Sequence, residues 1–66
     1  MSEETELQRI ERQIHEAEFD IADQKSAIEL DRRDGRPMSE SLSVLALFEQ
    51  RLALLKAHAD RLRAQP

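Results

Sequence analysis

Apolar residues in the first half of the chain recur as Leu7, Ile10, Ile14, Ala17, Ile21 and Ile28, and Gln24 and Asp31 continue the same three-and-four spacing. That spacing is the heptad seam of a helix packed along one side. Leu7, Ile14, Ile21 and Ile28 share one core position. The other runs Ile10, Ala17, Gln24, Asp31 and turns polar along the chain. The second half repeats the pattern as Leu45, Phe48, Leu52, Leu55, Ala59 and Leu62. Between the seams stands Asp34-Gly35-Arg36-Pro37-Met38-Ser39. Gly35 can close a helix in the left-handed conformation, and Pro37 cannot continue one. The pattern predicts helices over 4–34 and 39–64, a turn at 35–38, and one domain over 1–66. The fold class is all-α, an antiparallel two-helix hairpin.

Local signals support both helix ends. Glu3, Glu4 and Glu6 suit a helix N-terminus, and Thr5 with Gln8 can form a capping box. Ser39, or failing that Ser41, is expected to cap the second helix. Arg32 and Arg33, and later Arg61 and Arg63, lie where cations complement the helix dipole. Glu29 and Arg33 form an i,i+4 pair in the favourable orientation. Folding at the turn sets Ile14 near Leu55 and Ala59, Ile21 near Phe48 and Leu52, and Ile28 near Leu45. Ala17 facing Leu52 or Leu55 gives small-against-large packing.

One mutual face does not use all the apolar surface. Val44, Leu47 and Leu54 fall off the seam on a stripe of their own, and Phe19, Ala22, Ser26 and Leu30 form a weaker one on the first helix. A helix apolar over most of its circumference is normally buried over most of it. Val44, Leu47, Leu54, Phe19 and Leu30 are therefore the candidate partner interface. Phe19, between Glu18 and Asp20, is either a peripheral anchor or a lone exposed aromatic. The simplest occupant is a second copy, two hairpins making a four-helix bundle, because two-fold dimers are the commonest oligomers. A different helical protein could fill the same groove.

Size points the same way. A chain of 66 residues without cysteine has neither disulfides nor thiolate metal sites, and a single core below ~70–80 residues seldom supplies more than ~3–5 kcal/mol. The net charge is −4, which opposes a surface built to neutralise phosphates. Residues 1–34 hold five basic against eleven acidic side chains, and residues 35–66 five against three. This asymmetry can steer the acidic first helix of one copy towards the basic second helix of another. Arg51, Lys56, Arg61 and Arg63 are spread along the second helix, so DNA binding is the weaker expectation. No apolar stretch approaches the ~18 residues of a membrane span, and the acidic N-terminus has no signal-peptide core. The expected location is the cytoplasm.

Candidate chemistry is sparse. His15, with Glu11 four residues before and Glu18 three after, has spacing compatible with a divalent metal, and equally with an ordinary charged face. The Glu-x-x-His of carboxylate-bridged bundles does not occur. His58 is expected level with His15 but on the opposite flank of the seam. Ser2, Ser26, Ser39, Ser41 and Ser43 are nucleophiles by type only, none beside a His or in a nucleophile elbow. A two-helix protein lacks a substrate-sized pocket. The reading is not an enzyme, with no cofactor and no metal.

The stretch from Glu11 to Gln65 resembles short helical-hairpin proteins of alphaproteobacteria, the rhizobial type. The shared features are Glu11-Arg12-Gln13-Ile14, Ile21-Ala22-x-Gln24, Arg33-Asp34-Gly35-Arg36, Leu45-Ala46-x-Phe48-Glu49 and His58-x-Asp60-Arg61-Leu62. Members carry a polar residue where this chain has Pro37, which implies a stiffer turn here. The resemblance implies a bacterial, cytoplasmic two-helix protein and supplies no catalytic or ligand residues. The functional expectation is a self-associating helical interaction module, a homodimer. The alternative is a small regulatory adaptor for another helical protein.

Overall fold

The computed structural model describes residues 3–65; Met1, Pro66 and Ser2, the last among the serines weighed above, lie outside them. Two helices, α1 (Glu6–Arg33) and α2 (Ser39–Ala64), pack antiparallel as a helical hairpin.

The capping box sets the start of α1. The Gln8 backbone N–H donates to Thr5 Oγ1 at 3.1 Å, and the Thr5 N–H donates to Gln8 Oε1 at 2.9 Å. Both bonds satisfy donors that a helix start leaves orphaned, so α1 begins at Glu6, two residues later than expected. Glu4 still contributes, accepting from Arg12 Nε at 3.1 Å.

At the other end the Arg36 N–H donates to the Asp31 carbonyl at 2.8 Å and the Gly35 N–H to the Arg32 carbonyl at 3.3 Å. This paired closure requires a left-handed residue, and Gly35 supplies it at φ +71°.

Two local expectations are corrected. Neither Ser39 nor Ser41 caps α2. Met38 occupies the N-cap with helical backbone angles and no side-chain cap bond, and the Leu42 N–H donates to its carbonyl at 2.8 Å. The chain has entered the helix before Ser39, so that serine is already inside it. Ser41 instead reaches across to α1. Glu29 pairs with Arg32, i,i+3, in place of Arg33.

The Cα trace measures 51 × 25 × 11 Å, so the molecule is one helix thick. Ile10, Ala17 and Ala59 alone among the described residues form the buried apolar core. Leu7, Ile14, Ile21, Ile28, Leu45, Phe48, Leu52, Leu55 and Leu62 lie on the same seam but only half-buried. A large side chain between two rods keeps one flank wet, whereas an alanine is enclosed by the closely approaching helices; Ala59 has no exposed surface at all.

Gly35→Ala tests the turn. An added Cβ meets nothing within 4 Å, so the cost is backbone strain alone, about 1–2 kcal/mol, read as a lower urea midpoint at unchanged slope. Thr5→Ala is expected to cost about 1 kcal/mol through loss of the cap, checked in the same titration.

Candidate interaction surface

Exposed large apolar residues occupy both outer faces of the hairpin. On α2, Leu47 and Leu54 are 64% and 65% exposed, and Leu42 is exposed beside the turn. Leu47 and Leu54 lie seven residues apart, two helical turns, on the side turned away from Ala59 and the seam. On α1, Phe19 is 72% exposed and Leu30 also faces solvent. Val44, grouped with Leu47 and Leu54 by spacing, is placed differently. It is half-buried and shares an open notch of about 520 Å³ with Gln24, Asp31 and Ser41 at the turn end. Helical rotation sets Val44 nearer the seam than the two leucines, so α1 covers part of it.

The seam's polar end forms a bonded cluster across the two helices. Ser41 Oγ donates to Asp31 Oδ2 at 2.9 Å, and Gln24 Nε2 donates to the Ser41 carbonyl at 2.9 Å. The polar heptad positions Gln24 and Asp31 were readable from spacing. Their shared partner was not, because Ser41 read as a helix cap.

Two polar contacts span the open end of the hairpin. Arg63 lies 3.7 Å from Glu11, and His58 Nε2 lies 3.5 Å from Glu6 Oε1. His15 is exposed, and Glu11 turns to Arg63. Among the described residues no group of three or more His, Asp or Glu is placed to hold a metal ion. Arg12 links Glu4 and Glu16, and the hydrogen bond to Glu4 followed by its charge holds the guanidinium above its usual range. The Arg32 guanidinium likewise holds the Glu29 carboxyl below the ordinary carboxylate range. All these groups face water, so each pair contributes little.

Three of the serines are occupied. Ser26 Oγ donates to the Ala22 carbonyl at 3.3 Å, Ser43 Oγ to the Ser39 carbonyl at 3.0 Å, and Ser41 to Asp31. On the outer side of α2 the exposed residues from Ser43 to Ala57 carry no charge and Arg61 follows them, whereas Arg12, Glu16, Asp23 and Arg33 surround Phe19 and Leu30 on α1.

The chain matches no protein-family model, no curated protein and no solved structure. Among the described residues no helix is long and apolar enough to cross a membrane.

Glu29 generates a pH prediction. Its folded pKa is depressed, so its contribution is present above the unfolded pKa and is lost as pH falls through the folded one. Glu29→Gln removes that contribution. Wild type is therefore expected to lose slightly more stability than Glu29→Gln between neutral and acid pH, read as a narrowing gap between their urea midpoints.

Proposed function

We propose that this chain is a self-associating helical interaction module whose working form is a homodimer, two hairpins contributing four helices. The observation that carries the reading is the exposure of Leu47 and Leu54 on the outer side of α2. A hairpin one helix thick cannot fold over to cover them, and its own core is too small to leave apolar area unused. A second copy supplies the missing layer, and two-fold pairing is the commonest way that chains do so. Kinship with the short rhizobial hairpin proteins, drawn from the Arg33-Asp34-Gly35-Arg36 break, belongs to the same proposal and adds no role.

A second reading, a regulatory adaptor that binds a different helical protein, is favoured by Phe19 and Leu30. They lie on α1, away from Leu47 and Leu54, where one dimer contact leaves them free. The two readings separate on the purified chain. The adaptor is monomeric or poorly ordered alone and gains structure with its partner.

Sedimentation equilibrium at micromolar concentration is expected to give twice the 7.7 kDa chain mass. A strict monomer there overturns the proposal. Leu47→Glu removes an apolar contact from both copies and is expected to weaken the dimer by about a hundredfold or more in Kd, with a fall in helicity by circular dichroism. Gln8→Glu keeps a capping residue at the same place and is expected to leave the sedimenting mass unchanged.

A further inference from the structure

The turn interrupts the hairpin without interrupting its seam. Ile10, Ala17, Gln24 and Asp31 recur every seven residues along α1, and Leu45, Leu52 and Ala59 do so along α2. Met38 lies seven residues after Asp31 and seven before Leu45. The two helices therefore share one heptad phase, which a turn one residue longer or shorter would break. Asp34 at φ −87°, ψ 0° and Met38 at φ −106°, ψ −6° both have backbone angles in the helical region. Only Gly35, Arg36 and Pro37 stand between them.

Straightened through those three residues, the chain becomes one helix with an unbroken seam. Such a rod cannot fold back on itself, but two copies set antiparallel give each α1 the α2 of the other chain. The polar contacts that join the helices of one hairpin are then made between chains: Ser41 with Asp31 and Gln24, Arg63 with Glu11, His58 with Glu6. No new surface has to fit, because the seam is the one the hairpin already uses. Exchange of this kind is a low-cost route to a dimer, and short hinges invite it. Parting the helices on the way exposes little, since Ile10, Ala17 and Ala59 are the buried apolar core among the described residues.

The balance between the two packings then rests on the turn. Gly35 at φ +71° supplies the closed conformation. Its hydrogen bonds, from the Arg36 N–H to the Asp31 carbonyl and from the Gly35 N–H to the Arg32 carbonyl, are local, and a continuous helix replaces them with its own. Pro37 opposes the open form. In a helix its ring meets the Arg33 carbonyl, it has no N–H to donate, and it pushes Arg36 out of the helical region. We propose that residues 35–37 are a gate between a closed hairpin and an open, exchanged dimer, and that Pro37 holds the gate shut. Exchange is independent of the self-association of closed hairpins, in which each seam stays within one chain.

The chain has no cysteine, so a Glu11→Cys/Arg63→Cys pair reports the packing cleanly. Those side chains lie 3.7 Å apart across the two helices. A short bis-maleimide joins them within one chain in the closed form and joins two chains in the exchanged form, read as monomer or dimer on a denaturing gel. With the native turn, links are expected to stay within the chain at ~10 μM. Adding Pro37→Ala is expected to favour opening by about a hundredfold per hinge. After unfolding and refolding at ~1 mM, that variant is expected to give the dimer band and a rise in helicity. Its maximum dimension by small-angle scattering is expected near ~90 Å, at ~1.5 Å per residue over 6–64, against 51 Å for the hairpin. Gly35→Ala alone keeps the proline and stays closed, whereas Gly35→Ala with Pro37→Ala opens further. A Glu6→Cys/His58→Cys pair gives the same readout should the first pair lower helicity. Links that stay within the chain in both Pro37→Ala variants, or a fall in their helicity, overturn the gate. If those variants do so while the native chain sediments as a dimer, the self-association of closed hairpins stands alone. If the native chain is monomeric and Pro37→Ala exchanges, that self-association falls and the gate stands.

Discussion

Everything in this molecule follows from a single line of contact between two rods. A helix in a globular domain ordinarily meets neighbours on two or three sides, and its large side chains are buried by being surrounded. Here each helix has one neighbour, and the trace is 11 Å in its thinnest direction. Along the seam, small side chains are therefore enclosed most easily, and Ile10 is the one large residue that is buried. Two of the three buried core residues are alanines, small enough to be enclosed where the helices approach. Leu52, Leu55 and Phe48 occupy equivalent seam positions and keep an open flank.

Along that line the contact changes character. From Leu7 to Ile21 the seam is apolar, and such a seam tolerates a slip of one heptad because every repeat looks alike. From Gln24 to the turn polar positions alternate with Ile28, and the contact becomes specific. Ser41 uses its hydroxyl on Asp31 and its carbonyl on Gln24, an arrangement reached in one alignment of the helices only. Gly35 closes α1 one turn away with its left-handed backbone. The turn end thus fixes the alignment, while the apolar end supplies the burial that hydrogen bonds, individually worth ~1 kcal/mol net, do not.

Those two roles explain what the sequence made legible. Heptad spacing located both helices and the side of each that holds the buried Ile10, Ala17 and Ala59, because residues three and four apart share one side of a helix. The capping box at Thr5 and the stop at Gly35 were readable since both act within a few residues. The start of α2 was not. Ser39 and Ser41 have cap chemistry, but whether serine caps depends on where the incoming chain turns helical, and Met38 had already done so. Glu29 chose Arg32 over Arg33 by side-chain rotation alone, which spacing does not set. Among the interface candidates, Leu47, Leu54, Phe19 and Leu30 lie on outer faces, and Val44 is half-buried at the turn-end notch. Spacing assigns a face. How far the neighbouring helix overhangs that face is a tertiary property.

The outer faces differ in what covering them would cost. Seating a partner on α1 at Phe19 desolvates Arg12 and Glu16, which already hold each other at 3.2 Å, and charges taken from water rarely recover that expense by pairing. Seating one on α2 at Leu47 and Leu54 displaces water from alanine and leucine with little opposing term. Area alone would rank the two faces close together, since each presents large exposed apolar side chains. Desolvation ranks α2 first. A protein this thin has no interior in which to hide an apolar surplus, so the side with the least charge is where a neighbour gains most.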